Sequence, residues 1–415
     1  MTLSEELTWR GFVNQTTFKD LKQIDGDPIA FYWGVDPSAT SMTIGNFAAA
    51  MMVRHFIDHG HKAVLLVGGA TGLIGDPDGK AEERTLKTAD EIAKNKDGIV
   101  GQYKRIFADQ SFNIVDNYDW FKGIGYLQFL RDVGKHVPMR QMLQREFVQS
   151  RLSEGGAGIS YAEFSYALIQ GYDFLHLSRE KDVTLQLCGS DQWGNSIAGV
   201  ELIRRIDSKE AHVWSTPLVI NKATGKKFGK TEEGAIWLDA ALTSPTQFYQ
   251  FWVNCDDEGV EDYMKIYTLL PKEEVDSIVA KHRESPKERL AQIRLAEEVT
   301  KLVHGKDEMG AAQAATECLT GKKSVAEAED RILEILRREL PYARAKPGDE
   351  LVQVLVNTEL ATSRGEARRL VQSNGVAVNG QKTTKETLEE TDFLNGRLLL
   401  RKGKAFKDSA LVEYS

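Results

Sequence analysis

Apolar residues in the first half of the chain come in short runs punctuated by glycine. Phe31-Tyr32-Trp33-Gly34-Val35 is a β-prone run stopped by Asp36-Pro37-Ser38, and residues 45–58 follow as an Ala- and Met-rich helix. Ala63-Val64-Leu65-Leu66-Val67 is a continuous apolar run, the pattern of a strand buried on both faces, and it ends in Gly68-Gly69-Ala70-Thr71-Gly72. Phe164, Leu168 and Tyr172 recur at helical spacing over 161–177, and Val183-Thr184-Leu185-Gln186-Leu187 reads as another central strand before Cys188-Gly189-Ser190-Asp191. Strand, glycine-rich turn and helix in alternation predict a doubly wound α/β domain with a parallel sheet, whose ligands bind beyond the carboxyl ends of its strands.

Beyond Asp239 the texture becomes helical, with apolar residues at three- and four-residue spacing over 271–281 and 286–302. A linker is expected at 343–348. After it, Ser363-Arg364-Gly365-Glu366-Ala367-Arg368-Arg369-Leu370-Val371 is amphipathic, and Gly375-Val376-Ala377-Val378 reads as a strand closed by an Asn379-Gly380 turn. The expected layout is therefore a Rossmann-like catalytic domain over 1–238, a helical domain over 239–342 and a small α+β domain over 349–415.

With 415 residues, 41% hydrophobic and 27% charged, the composition is that of an ordinary globular protein of two or three domains. Fifty-three Lys+Arg against 61 Asp+Glu give a net charge of −8, so a nucleic-acid site has to be local. Residues 351–415 supply such a place, with ten basic against eight acidic side chains. Cys188, Cys255 and Cys318 are odd in number and widely spaced, which points to a reducing compartment, the cytoplasm by default. Acidic residues at Glu5 and Glu6 do not suit a signal peptide, and the apolar runs are too short to span a bilayer.

Three segments carry candidate phosphate chemistry. From Asp36 to Asn46, small and polar residues lie between a strand and a helix start. There Gly45 permits close approach, and Thr43 and Asn46 can donate to phosphoryl oxygens; a plain helix cap fits the same residues. Residues 68–80 hold five glycines but form no Walker loop, because Ile74 and Ala81 occupy positions that need Gly and Ser or Thr. Lys80 and Arg84 can still reach phosphate from this loop. In Gly225-Lys226-Lys227-Phe228-Gly229-Lys230-Thr231, mutually repelling lysines share a flexible loop that polyphosphate would stabilise. No HExxH, GxGxxG or Gly-x-Ser-x-Gly pattern is present.

Taken together and in order, these segments resemble the bacterial type of tyrosyl-tRNA synthetase, a class I aminoacyl-tRNA synthetase family. The carriers are Tyr32-Trp33-Gly34-Val35-Asp36-Pro37-Ser38-Ala39, the glycine-rich segment 68–77, Glu163-Phe164-Ser165-Tyr166, Gln170-Gly171-Tyr172-Asp173-Phe174-Leu175, Gly189-Ser190-Asp191-Gln192-Trp193-Gly194-Asn195 and Lys227-Phe228-Gly229-Lys230-Thr231. Residues 351–379 also resemble the S-four RNA-binding domain. The resemblance implies activation of tyrosine with ATP to tyrosyl-adenylate, release of pyrophosphate, and transfer of the tyrosyl group to the 3′-terminal ribose of tRNA(Tyr). It implies Mg²⁺ accompanying ATP, no structural metal, and a symmetric homodimer.

By the same resemblance, Tyr32 and Asp173 meet the substrate phenol, Asp76, Tyr166 and Gln170 surround its ammonium group, and Gln192 lies near its carboxylate. Gly34, Asp36, Ser38, Gly45, Gly189 and Asp191 frame ATP. Lys227, Lys230 and Thr231 form the lysine signature loop, with Lys80 and Arg84 on a second pyrophosphate loop. Arg364, Arg368 and Arg369 offer a basic helix edge to RNA. The chain departs from the family at Thr43-Ile44-Gly45-Asn46, where His-Ile-Gly-His is usual, and Thr43 is expected to donate toward the γ-phosphate with shorter reach. Trp33 is expected to narrow the ribose side. Two rivals accompany this reading: the tryptophanyl relatives, and an RNA-binding protein derived from a synthetase with a disabled site.

Overall fold

The structure is a computed structural model, and it describes residues 1–77, 85–231, 234–403 and 408–415. The chain divides into two compact units, one of residues 1–242 with 256–291 and the other of 243–255 with 292–415. The first begins with α1 (Leu3–Arg10), β1 (Gln15–Thr16), β2 (Ala30–Val35), α2 (Ile44–Asp58), β3 (Lys62–Val67), α3 (Gly69–Ile74), α4 (Ala89–Ile106) and β4 (Phe112–Asp116). Short helices α5 (Tyr118–Phe121), α6 (Tyr126–Asp132), α7 (Met139–Leu143) and α8 (Glu146–Leu152) lead to α9 (Tyr161–Lys181), β5 (Leu185–Gly189), α10 (Trp193–Asp207) and β6 (His212–Thr216). The hairpin β7 (Lys230–Thr231) and β8 (Gly234–Ala235) follows. After α11 (Pro245–Val253), which belongs to the second unit, α12 (Val260–Tyr267) and α13 (Lys272–Glu284) return to the first.

Six strands form one sheet in the order β1-β6-β5-β2-β3-β4, parallel throughout except for β1 against β6. From β2 the chain moves outward through β3 and β4, then returns to lay β5 on the opposite side of β2. That reversal opens a crevice at the carboxyl ends of β2 and β5, where ligands of such sheets bind. Every residue of β3 after Lys62 is buried, as a strand covered by helices on both faces requires. Local chemistry sets the helix ends: Ser160 and Glu163 form a capping box at the start of α9, and Asp182, at φ 53°, stops it.

The second unit continues with α14 (Leu290–His304), α15 (Lys306–Leu319), α16 (Asp330–Glu339), β9 (Tyr342–Ala345), α17 (Leu351–Asn357) and α18 (Arg364–Gln372). Strands β10 (Val376–Val378), β11 (Gln381–Thr383), β12 (Arg397–Arg401) and β13 (Ser409–Tyr414) join β9 in the order β11-β10-β12-β13-β9. The Asn379-Gly380 turn forms as expected, with both residues at positive φ, 49° and 82°, which joins β10 to β11.

Two expectations need correction. Residues 343–345 are not linker but strand, because β9 pairs in parallel with β13, a partner too distant in sequence for local pattern to announce. The segment 239–342 is also not one body: 256–291 packs with the first unit and 292–342 with the second. Leu399 and Leu411 of the C-terminal sheet share a buried cluster with Ala315, Leu319, Leu333 and Leu336 of α15 and α16. Sheet and preceding helices thus bury one another's apolar faces.

In the first unit α1 is held by a buried guanidinium. Arg10 donates to the carbonyls of Lys265, Thr268 and Leu270 at 2.8, 3.0 and 3.0 Å, and to Glu6 Oε1 at 2.9 Å. His55 Nδ1 lies 3.3 Å from the same carboxylate oxygen, while His61 accepts from Ile29 N at 3.0 Å and faces the Ile24 carbonyl through Nε2. Burial lowers the pKa of both histidines, His55 well below its usual range with Arg10, His59 and Arg54 adding to the effect. The unfolded chain therefore binds these protons more readily, so their stabilisation is complete above the ordinary histidine pKa of about 6.5 and declines as pH falls below it. Each site changes stability by at most about 1.4 kcal/mol per pH unit. Calorimetry between pH 7 and 5 should show a falling Tm, and His61→Gln should make that fall shallower; an unchanged slope would exclude the buried histidine as its cause.

Candidate active site

A cavity of about 290 Å³ opens at the carboxyl ends of β2 and β5. Its lining brings together residues from five separate sequence segments: Tyr32, Gly34, Asp36, Ser38, Thr43, Gly45 and Asn46; Asp76; Tyr166, Gln170 and Asp173; Gly189, Asp191 and Gln192; and Lys227. Lys80 and Arg84 lie outside the described residues, as do the side chains of Lys230 and Thr231, whose backbone forms β7. Arg364, Arg368 and Arg369 are exposed on α18 in the second unit, where Arg364 pairs with Glu350 and Gln353.

Asp173 is 2% exposed and both its oxygens accept hydrogen bonds, Oδ2 from Asn117 Nδ2 at 3.0 Å and Oδ1 from Trp120 Nε1 at 2.9 Å. Burial pushes this carboxyl well above the usual carboxylate range, and the two donors oppose the shift. Asn117 Nδ2 also reaches Thr71 Oγ1 at 3.0 Å, and the Thr71 hydroxyl donates to Asp36 Oδ1 at 2.6 Å. The Tyr166 hydroxyl donates to Asp36 Oδ2 at 2.6 Å. One ladder of hydrogen bonds therefore runs from Asp173 to Asp36. It leaves no space for a side chain at residue 68, where a Cβ would come within 2.1 Å of Asp36 Oδ1 and 2.3 Å of Thr71 Oγ1.

On the far side of the cavity Gln192 Nε2 donates to Asp76, and buried Asn195 ties the pair together through Gln192 Oε1 at 3.1 Å and Asp76 Oδ1 at 3.5 Å. Arg145 donates in turn to Asn195 Oδ1. Tyr32 is 2% exposed, and among the described residues its hydroxyl has no hydrogen-bond partner. Burial and the nearby Asp173 raise its pKa far above the ordinary phenol value, so it stays protonated. Gln186, opposite Tyr32 in the β2–β5 register, also lines the cavity with its buried Oε1 unpartnered. Two such orphans side by side are costly unless a ligand or water answers them.

Toward the cavity mouth, the Thr43 hydroxyl donates to Asn46 Oδ1 at 2.9 Å, and Thr43 N donates to the same oxygen at 3.0 Å. Three-residue spacing at a helix start puts these groups in capping geometry, so the hydroxyl expected to face phosphate is turned toward Asn46. Lys227 Nζ stands 3.9 Å from Asp191 Oδ2. Trp33 is buried with its ring 5.5 Å from that of Tyr103. Burial raises the Cys188 thiol to about 12, so it supplies no thiolate at neutral pH.

Comparison with known proteins places the chain in a family. Residues 25–320 match the tRNA synthetases class I (W and Y), and residues 332–407 match the tyrosine–tRNA ligase SYY-like C-terminal domain. The tyrosine–tRNA ligase of Cytophaga hutchinsonii is 42% identical over 421 residues, covering 96% of this chain and 97% of that protein. The Escherichia coli ligase is 42% identical over 411 residues, covering 97% of both. The chain belongs to the tyrosine–tRNA ligase family. A C-terminally truncated mitochondrial tyrosyl-tRNA synthetase of Aspergillus nidulans superimposes on 77% of this family member and 94% of its own length, with TM-score 0.69 and 29% identity. Plasmodium falciparum tryptophanyl-tRNA synthetase, at 14% identity and TM-score 0.53, shares the fold alone.

In this ligase-family chain, motif reading named many residues that line the cavity and missed Thr71, Gln186, Asn117 and Trp120. Thr71 lies inside the glycine-rich segment 68–80, which stands out in the sequence for its glycines, Lys80 and Arg84. Asn117 and Trp120 lie in a segment without a motif, and only the fold brings them to Asp173. Gln186 gave one usable signal: it is the sole polar residue between Leu185 and Leu187 in a strand buried on both faces.

Proposed function

We propose that the protein activates tyrosine with ATP and transfers the tyrosyl group to tRNA(Tyr). The observation that carries this reading is the unsatisfied Tyr32 hydroxyl in the same cavity as the buried Asp173. A substrate phenol supplies the missing partner, whereas a phenylalanine ring leaves the Tyr32 hydroxyl buried and unanswered. Asp76, Tyr166 and Gln170 then surround the ammonium group. Tyr166 suits that place because its O–H is committed to Asp36, leaving oxygen lone pairs for the ammonium. Gln192 takes the carboxylate.

In the first step a carboxylate oxygen of tyrosine attacks the α-phosphorus, the bond to pyrophosphate breaks, and its electron pair leaves with pyrophosphate. A ribose hydroxyl of tRNA then attacks the acyl carbonyl, and AMP departs. Neither step needs a side-chain nucleophile, so rate comes from positioning and from donors aimed at developing charge. Gly34, Asp36, Ser38, Gly45, Gly189 and Asp191 frame the nucleotide, with Gly45 at the N-terminus of α2. Thr43, Asn46, Lys80, Arg84, Lys227, Lys230 and Thr231 act on the departing pyrophosphate. A Mg²⁺ would accompany the ATP phosphates and would supply charge neutralisation there, and Asp191 is the exposed carboxylate that would help hold it. Three free, buried cysteines support a reducing compartment such as the cytoplasm. No helix among the described residues is long and apolar enough to cross a membrane.

ATP–pyrophosphate exchange with tyrosine, phenylalanine or tryptophan tests the activation step. Exchange should occur with tyrosine only, and Tyr32→Phe should lower kcat/KM for tyrosine about 2- to 10-fold, the worth of one hydrogen bond. Equal exchange with phenylalanine overturns the pocket assignment; no exchange in a folded protein that binds RNA favours a disabled synthetase. For transfer, combining Arg368→Glu with Arg369→Glu should raise the KM for tRNA and flatten its salt dependence while exchange is unchanged. A parallel loss of exchange would contradict an RNA role for α18. Exposed apolar side chains are frequent between residues 126 and 161, at Tyr126, Leu127, Met139, Leu143, Leu152 and Tyr161, and support a symmetric homodimer through the α/β domain. Sedimentation as a monomer would remove that assignment.

A further inference from the structure

Helix α12 lies outside every motif in the sequence, yet it touches both candidate phosphate segments. Tyr263 and Tyr267 are four residues apart, so both project from one helix face, and they are 1% and 0% exposed. The Tyr263 ring stacks on Phe228 of the lysine loop, with centroids 4.1 Å apart and planes 25° from parallel. Its hydroxyl donates to Asp256 Oδ1 at 2.9 Å, which fixes the ring. Gly259 makes room for it, since a Cβ there would lie 2.3 Å from Tyr263 Cζ. One turn on, the Tyr267 hydroxyl donates to the carbonyl of Ile44 at 3.2 Å, and the Tyr267 ring lies 5.9 Å from Phe47.

The two segments also meet directly. Gly229, at φ 84°, follows Phe228, and a Cβ on it would fall 2.4 Å from Ile44 Cγ1. Ile44 therefore has the lysine loop against its side chain and α12 on its carbonyl. Lys227 and the Thr43–Asn46 pair flank this contact and line the same cavity.

We propose that α12 sets the separation of the two phosphate-handling segments, with Tyr263 seating the lysine loop through Phe228 and Tyr267 tying down the start of α2 through Ile44. Both tyrosines are positioning residues: neither reaches the cavity, and they act through Phe228 and Ile44. The inference rests on the reading that this cavity activates tyrosine. It follows that losing the seat costs the stabilisation of departing pyrophosphate and leaves the tyrosine pocket, built on β2, β5 and α9, undisturbed.

The test compares Tyr263→Leu, Tyr263→Phe and Tyr267→Phe with the full-length wild-type protein. Three quantities are read: kcat for tyrosine-dependent exchange, tyrosine affinity by equilibrium dialysis, and the rate of tryptic cleavage after Lys226 and Lys227 by mass spectrometry. Tyr263→Leu should lower kcat about 2- to 10-fold, the worth of one aromatic pair, and speed cleavage, with tyrosine affinity unchanged. Tyr263→Phe keeps the ring and should restore both. Tyr267→Phe removes one hydrogen bond and should lower kcat about 2- to 10-fold, again without loss of tyrosine affinity. Unchanged kcat, a Tyr263→Phe protein as impaired as Tyr263→Leu, or a parallel loss of tyrosine affinity overturns the proposal. If Tyr263→Leu does not fold, Tyr267→Phe decides by the same split. Absence of exchange in the wild-type protein would defeat the functional reading alone, because the cleavage rates still report whether Tyr263 seats the loop.

Discussion

Asp36 has its place only because residue 68 has no side chain. The carboxylate sits at the end of β2 within 2.6 Å of both Thr71 and Tyr166, and the space it occupies is the space a Cβ on Gly68 would fill. From that point the hydrogen-bond ladder reaches through Thr71 and Asn117 to Asp173, joining β2, α3, the end of β4 and α9 into one polar framework. Gly69 extends the constraint, because a Cβ there would meet Asp116 Oδ1 at 2.2 Å. Gly68 and Gly69 thus make room for carboxylates of the first unit, and Gly72 for Pro37 and Ile92, so these glycines have packing reasons that no Walker loop requires.

Such a framework makes the cavity stiff at its buried end and leaves adjustment to its mouth. The buried groups at Asp173, Asn117 and Thr71 satisfy one another, whereas Lys227 and Asp191 are half-exposed and stand 3.9 Å apart. Beside them the Tyr32 hydroxyl and Gln186 Oε1 are unpartnered, and these are the groups an ill-matched ligand strands in low dielectric. Solvated charges at the other end can follow a polyphosphate as its charge redistributes.

Much of this was legible in the sequence. The apolar runs at 31–35 and 63–67 became β2 and β3 because a strand covered on both faces has to be apolar throughout, and the turn at Asn379-Gly380 formed because those residues tolerate positive φ. The motifs named many of the residues that line the cavity, though not Thr71, Gln186 or residues 216–219. What stayed hidden depends on partners far away in the chain. β9 is polar in alternate positions and becomes a strand only when β13 lies beside it, so 343–345 read as linker. Asn117 and Trp120 acquire meaning only from Asp173, more than 50 residues on. Thr43 and Asn46 line the cavity, and their mutual hydrogen bonds are those of the plain helix cap that the same residues allowed, which turns the Thr43 hydroxyl from the direction expected of it.

The pairing of β9 with β13 also imposes an order on assembly. Helices α15 and α16 leave the ribosome with one face meant for Leu399 and Leu411, residues not yet made. Until β12 and β13 emerge, that face is open to water and to any other apolar surface nearby, and the β9 edge has no partner. The first unit, by contrast, draws all its residues from positions up to 291. The second unit is therefore the one that waits, and the interval between synthesis of its helices and of its last strand is when the growing chain is most exposed to misassociation.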